Sequence, residues 1–172
     1  MANRDETPTL PLIRVLEGLE RFLEILDDTE YRSIPSTLFS STHGQQVRHT
    51  LDHVDRLVEG YKTGVMNYDN RQRGTSLETN RAEGLESVRR LKKELGSMEA
   101  EAMNREVRVH ILMDPSGPML DLGSTLGREI GFVLSHTIHH NALLAAMGKN
   151  KGMQMEEDFG FAPSTLAFTG SV

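Results

Sequence analysis

The segment SHTIHHNALL, residues 135–144, sets His136 and His140 one helical turn apart within an apolar stretch. Residues four apart lie on the same face of a helix, so both imidazole rings can reach one point. Two polar rings are costly to bury without partners, and neutral imidazole is a common metal ligand. The pair therefore predicts a divalent-metal site, with hydrogen-bonded core histidines as the alternative. His139 is expected at the edge of the apolar arc or on the surface.

An open metal site usually has three protein ligands, so the sequence should supply a third. The segment QQVRHTLDHVDRLVEG, residues 45–60, carries His49 and His53 one helical turn apart. His53 lies nearer the apolar arc of this segment, by about 40° at the ideal helical advance. The helical angle therefore favours His53, although either residue can instead be a surface or boundary histidine. His43 and His110 are further candidates.

Composition limits the classes of partner. The chain has 172 residues, 37% of them hydrophobic, which predicts a single domain spanning residues 1–172. It contains no cysteine, so any metal must be held by imidazole and oxygen ligands. The net charge of -6 argues against nucleic acid and anionic membrane as partners. Without a signal peptide or an apolar run of about 20 residues, a cytoplasmic protein with a small-molecule substrate is expected.

Apolar residues recur at helical spacing in four stretches of the chain. Between the second and third stretches, residues 61–78 are predicted to form a long loop. Between residues 106 and 122, apolar and polar residues alternate on both sides of a turn that contains Pro and Gly, which predicts a short extended segment or hairpin. The tail from about residue 150 to 172 is expected to be irregular. The predicted helices cover residues 9–28, Ser41 or Thr42 to Gly60, Leu77 to Met98, and Ser124 or Thr125 to Gly148. Tail residues expected to pack on these helices are Phe159, Phe161, Leu166 and Phe168.

The combination of THGQQVRHTLDH with SHTIHHNALL resembles the DinB-like superfamily, over nearly the whole chain. In that family the first ligand lies between apolar residues and has an acid three positions later, a pattern that His49 matches. The last two ligands follow the His-x-x-x-His pattern of His136 and His140. The resemblance thus implies that these three residues are the metal ligands, and His53 is the alternative to His49. It also implies an all-α fold, a four-helix bundle with a long loop between helices two and three and a short extended or hairpin segment before helix four.

In the family, Arg or Gln is often found just after the last ligand. This chain differs, because it has Asn141 and Leu143 after His140. These two positions are expected to shape the substrate side of the pocket. Within the superfamily the chain most resembles uncharacterised members, whose signature segments are similar to YDNRQRGT and FGFAPSTL. Ordinary loop structure, with Gly74 and Pro163 in turns, is the favoured interpretation of both segments. In the first of them Asp69, Arg71 and Arg73 are candidates to line the pocket mouth and bind an anionic substrate.

Three neutral imidazoles leave open positions on a divalent ion, which can acidify a bound water or thiol. The resemblance implies the thiol more often, because the superfamily includes transferases that use low-molecular-weight thiols. We therefore expect a metal-dependent enzyme, S-transferase-like or hydrolase-like, with zinc, nickel or iron as the ion. One alternative is a non-catalytic metal-binding or small-molecule-binding module, as in a stress-response protein. Another is a dimeric bundle with structural histidines.

Glu129 lies on the same helix face as the histidine pair, about 10 Å before His136 at the helical rise. It is a candidate base or supporting residue, although an acid at a helix N-terminus is also favoured by the helix dipole. A homodimer is expected because the third helix has only a thin apolar stripe. No P-loop, GxSxG, HExxH or dinucleotide motif occurs in the sequence.

Overall fold

The computed structural model describes residues 7–70 and 72–170 of the chain. These residues are mostly helical and include six α-helices and a small sheet of three strands. The helices are α1 (Leu10–Ile25), α2 (Asp28–Arg32), α3 (His43–Thr63), α4 (Arg81–Leu95), α5 (Leu126–Asn150) and α6 (Pro163–Thr169). The strands are β1 (Val65–Asn67), β2 (Glu106–Leu112) and β3 (Met119–Thr125). Short 3₁₀ turns cover Ser76–Glu78 and Ala100–Asn104.

The four longest helices enclose the core. Helix α3 contacts α4 and α5, and α1 contacts the same two helices. Each helix buries the apolar face that its periodicity predicts, and burial of one large apolar side chain is worth about 1.5–3 kcal/mol. The buried face of α1 consists of Leu12, Leu16, Leu19, Phe22 and Leu23. None of the helices in the described ranges is long and apolar enough to cross a lipid bilayer.

Helix α3 carries the first candidate ligand and has well-defined ends. Thr42 accepts a hydrogen bond from the Gln45 backbone N–H, and the Gln45 side chain accepts one from the Thr42 N–H. The predicted end at Gly60 is wrong, because α3 continues to Thr63 and ends at Gly64, whose φ is +79°. Gly60 is instead a packing position, since a Cβ there would lie 2.1 Å from Cγ of Met66.

The sheet corrects the all-α expectation and the predicted loop at residues 61–78. Strand β1 pairs in parallel with β2, with Val65 opposite Arg108. The expected hairpin is present as the antiparallel pair of β2 and β3. A strand of three residues is too short to show a period in the sequence, and β1 is held by β2, which is distant along the chain. Thr125 then caps α5 by accepting a hydrogen bond from the Arg128 N–H.

Two short helices were not predicted. Helix α2 begins where the Asp27 side chain accepts a hydrogen bond from the Glu30 N–H, and it buries Tyr31. Helix α6 contradicts the expectation of an irregular tail, and it begins with Pro163 at the first helical position, where proline is favoured. The tail packs on the core mainly through Phe159, whereas Phe168 is 92% exposed.

Candidate metal centre

Histidines from α3 and α5 converge at one point between the two helices. Nε2 of His136 lies 3.2 Å from Nε2 of His49. One ring nitrogen from each of His49, His136 and His140 lies within 4.8 Å of the other two. His140 is buried, and the other two side chains are half-buried. The structure therefore brings together the three residues that the sequence analysis selected.

The donor set and its spacing fit a divalent ion. Zinc–imidazole bonds of about 2.0–2.1 Å at tetrahedral angles place two ligand nitrogens about 3.3 Å apart. The 3.2 Å between Nε2 of His49 and Nε2 of His136 agrees with that spacing. Three neutral nitrogens without a thiolate suit zinc, nickel, copper or iron. The chemistry of these residues therefore matches an open imidazole site.

Gln46 fixes the orientation of one of these rings. Its Oε1 accepts a hydrogen bond of 2.7 Å from Nδ1 of His140, and its Nε2 donates to Oγ of Ser41 at 2.7 Å. With the proton on Nδ1, the lone pair of His140 is on Nε2, as metal ligation through that atom requires. Gln46 was not among the residues predicted from the sequence. Its position three residues before His49, on the same helix face, was the available signal.

His53, the residue favoured by helical angle, packs against the side of the cluster. Its ring stacks on His136 with centroids 3.8 Å apart, and Nδ1 lies 3.0 Å from the backbone oxygen of His49. That oxygen can only accept, so Nδ1 of His53 donates to the backbone of its own helix. Among the described residues, the three ring nitrogens that lie within 4.8 Å of one another belong to His49, His136 and His140. The histidine that α3 contributes to this group is therefore His49.

An aromatic wall connects the cluster to a buried carboxylate. Tyr68 lies nearly parallel to the His53 ring, at 10° and 5.5 Å, and contacts Phe132. Its hydroxyl donates to Oε2 of the fully buried Glu129 at 2.8 Å. Burial and the Glu129 charge raise the pKa of Tyr68 above its ordinary value, so the phenol remains neutral. Tyr68 belongs to the segment YDNRQRGT but was not predicted, because only the charged residues of that segment were candidates for the pocket mouth.

The sequence agrees with this geometry, because the model of the DinB superfamily matches residues 12–144, which include all three histidines. The chain belongs to the DinB superfamily. The structure is also similar to that of a DinB-like protein from Bacillus subtilis, YjoA, with a TM-score of 0.66. That match covers 91% of this chain and 100% of the other at 15% identity, and it shows the fold alone.

One curated relative is larger. FK506-binding protein 5 of Rhizopus delemar is 29% identical over 103 residues, which are 59% of this DinB-superfamily chain. The matched part is 27% of that fungal protein, so the chain spans about a quarter of its relative's length.

Glu129, the candidate base of this DinB-superfamily protein, is held by several donors. Besides Tyr68, it accepts hydrogen bonds from Oγ of Ser124 at 2.6 Å and from Nη1 of Arg128 at 2.9 Å. A buried carboxylate needs such partners, because an unpaired buried charge is strongly unfavourable. Glu129 therefore anchors Tyr68, and through Tyr68 it supports the ring of His53.

The remaining candidates from the sequence are the charged residues of the loop after β1 and Asn141 on α5. Asp69 accepts a hydrogen bond of 2.7 Å from the Leu112 N–H, so it joins the loop to β2. Arg73 is exposed, and Arg71 lies outside the described residues. Asn141 donates through Nδ2 to the backbone oxygen of Val15 on α1, so it faces a different helix from the histidine pair.

The remaining histidines lie outside the cluster. His43 is buried, with Nδ1 2.9 Å from the Glu30 oxygen, and burial lowers its pKa. His110 lies on β2 with Nε2 3.6 Å from the Asp121 carboxylate. His139 is exposed, as the helical wheel predicts.

Proposed function

We propose that this protein is a metal-dependent enzyme that binds one divalent ion through His49, His136 and His140. Its substrate is a small-molecule electrophile, and the nucleophile is a low-molecular-weight thiol or water, so the reaction is S-transferase-like or hydrolase-like. The convergence of three ring nitrogens within 4.8 Å carries the proposal. When bound, a divalent ion supplies Lewis acidity that lowers the pKa of a coordinated thiol or water.

The chain's own residues orient the ligands and shape one side of the site. Gln46 holds His140 in the required tautomer, as described above. Tyr68 and Phe132 place aromatic surface beside the histidines, which excludes water there. The Arg128 guanidinium lies 5.3 Å from the centre of the Phe132 ring and its side chain is 64% exposed. Its Nη1 is paired with Glu129, so the exposed remainder of the guanidinium is the part that can donate hydrogen bonds to a polar group on an incoming substrate.

The absence of cysteine is compatible with an external thiol, because the chain has no thiol of its own. Zinc, nickel and iron all suit imidazole ligands, so the ion must be identified by measurement. We further propose that residues 1–172 form one domain, a four-helix bundle of α1, α3, α4 and α5, which acts in the cytoplasm as a homodimer. Light scattering of the purified protein would test the dimer, and a mass of one chain would contradict it.

Metal content tests the proposed site. We expect about one ion per chain in the wild type and less than a tenth of that in His136→Ala. His139→Ala is the matched control, since His139 is on the same helix but exposed, and it should retain the ion. Absence of metal from the wild type after supplementation with zinc, nickel, iron and manganese would contradict the proposal.

Catalysis is tested on the metal-loaded protein. Thiol transfer to small electrophiles and hydrolysis of simple esters and amides are measured for the wild type, His136→Ala and His139→Ala. Turnover in the wild type and His139→Ala, with loss in His136→Ala, is the expected result. A fully loaded wild type that turns over neither substrate class would contradict the enzyme and favour a metal-binding module.

A further inference from the structure

A cavity of about 410 Å³ lies between α1, α5 and the segment of residues 156–166, apart from the histidine cluster. Its volume falls within the range of about 300–1,000 Å³ that is typical of small-molecule sites. None of the metal-centre histidines lines it. Most of its surface is apolar, contributed by Pro11, Val15, Ile138, Phe159, Phe161, Pro163 and Leu166.

The segment FGFAP, residues 159–163, forms one wall of this cavity. Phe159 stacks on Phe22 with centroids 5.1 Å apart and an interplanar angle of 12°, which attaches the segment to α1. Gly160 has a φ of +85°, and a Cβ there would lie 2.6 Å from Cα of Ala142. The backbone therefore lies directly on α5, an approach that only glycine permits. The segment is therefore attached to both α1 and α5, and its conformation is specified by Phe159 and Gly160.

A buried amide gives this cavity a polar anchor. Asn141 lines the cavity and is 1% exposed. Its Nδ2 donates to the Val15 oxygen at 3.1 Å, which fixes the orientation of the amide. Its Oδ1 is buried and has no hydrogen-bond partner in the described part of the chain. An unsatisfied buried acceptor costs about 1–3 kcal/mol, so a ligand that donates a hydrogen bond there would recover part of that cost.

The charges around the cavity balance. Arg14 and Arg21 line it together with Glu156 and Asp158. The Arg21 guanidinium is 2.6 Å from the Glu156 carboxylate, so one of the two cations is already paired. A wall with two positive and two negative side chains gives no net attraction for an ion. The ligand that matches this wall is therefore uncharged.

We propose that this cavity is a second ligand site, which binds a small uncharged molecule with an apolar body and one hydroxyl or amide N–H donor. The donor bonds to Oδ1 of Asn141, and the apolar body contacts Val15, Ile138 and Phe159. The site is distinct from the metal centre, because the two share no lining residue.

The test compares two probes, 1-naphthol and 1-methoxynaphthalene, which differ in the hydroxyl donor. Binding is followed by NMR through the methyl groups of Val15, Ile138 and Leu166. We expect naphthol to bind roughly two- to tenfold more tightly than its methyl ether, the usual worth of one hydrogen bond. Asn141→Leu should remove this preference while retaining binding of the apolar body.

A second variant keeps the test decisive if Asn141→Leu does not fold. Val15→Phe fills the cavity and should abolish the shifts at Ile138 and Leu166, whereas Val65→Phe, outside the lining residues, should leave them unchanged. His136→Ala should bind naphthol as the wild type does. No shifts at millimolar naphthol, equal binding by Val15→Phe, or loss of binding in His136→Ala would each overturn the proposal.

Discussion

At the metal centre, a single amide oxygen determines which nitrogen of His140 carries the proton. Oε1 of Gln46 can only accept, so it holds the proton on Nδ1 and leaves the lone pair on Nε2. Outer partners of this kind typically change metal affinity by about 10–100-fold. We therefore expect Gln46→Ala to weaken metal binding by about that factor, measured as the dissociation constant by competition with a chelator.

Two further variants separate orientation of His140 from general damage. Gln46→Glu retains an acceptor for Nδ1 and should bind the ion within a few-fold of the wild type. Gln154→Ala changes an exposed glutamine outside the cluster and should have no effect. If Gln46→Glu were as weak as Gln46→Ala, the hydrogen bond to His140 would not be the cause.

Tyr31 links α2 to the 3₁₀ turn before α4, with its hydroxyl donating to the Leu77 oxygen at 2.7 Å. Burial, together with the negative charges of Glu83 and Glu78, raises the pKa of Tyr31 well above its ordinary value. Above about pH 10 the unfolded chain releases this proton while the folded protein keeps it, so the free energy of unfolding falls as pH rises.

Tyr31→Phe removes the titrating hydroxyl, so the free energy of unfolding of the variant should fall less steeply between pH 8 and 11 than that of the wild type. The measurement is urea denaturation of both proteins from pH 8 to 11, with the variant less stable at pH 8 by about 0.5–1.5 kcal/mol for the lost hydrogen bond. The two stability curves should approach each other as pH rises through 10. Parallel curves across this range would contradict the assigned role of Tyr31.

At the scale of elements, the long helices could be predicted because each shows many repeats of its apolar spacing. The second helix was predicted to end at Gly60, because glycine often follows a helix. Gly60 is buried against Met66, and such packing depends on a strand that the sequence does not reveal. Helices α2 and α6 are each too short for a measurable period, and the signals for α6 are the proline at its start and Gly170, in the left-handed conformation, at its end.

Gly160 gives a test of how the C-terminal segment is held. Gly160→Ala adds both backbone strain at positive φ and a Cβ 2.6 Å from Ala142, so the segment should detach from α5. We expect proteolysis within residues 150–170 to become several-fold faster, measured by mass spectrometry of the fragments.

Gly64→Ala is the matched control for this substitution. Gly64 also has positive φ, but among the described residues no side chain or backbone segment beyond its immediate chain neighbours lies within 4 Å of a Cβ there. That variant should cost about 1–2 kcal/mol of stability through strain alone, without faster cleavage of the tail. Equal cleavage in both variants would show that the contact with Ala142 does not hold the segment.

At the scale of the whole molecule, the candidate site required more than the sequence pattern. The pair on α5 could be predicted because i, i+4 spacing is a local property. Helical angle favoured His53, which is indeed the more buried of the two residues on α3. Both rings contact α5, and burial does not say which of them brings a nitrogen to the histidine pair, because that depends on how the two helices pack. The family resemblance supplied the choice of His49 that angle alone could not make.

Metal binding should stabilise the folded chain, since the three histidines are separated by up to 91 residues and converge only on folding. An ion at about 100 times its dissociation constant should add about 2.7 kcal/mol to the free energy of unfolding. Thermal denaturation of chelator-treated protein, with and without added ion, measures this gain. His136→Ala should lose most of it and His139→Ala should retain it; equal gains in both would contradict a site at His136.

The most direct test of the metal centre is a crystal structure of the purified protein with data collected at the absorption edge of its bound ion. The proposed metal centre predicts one anomalous peak between α3 and α5, within bonding distance, about 2.0–2.1 Å for zinc, of a ring nitrogen of His49, His136 and His140. A peak elsewhere, a peak ligated by His53 in place of His49, or no peak in protein supplied with metal would contradict it.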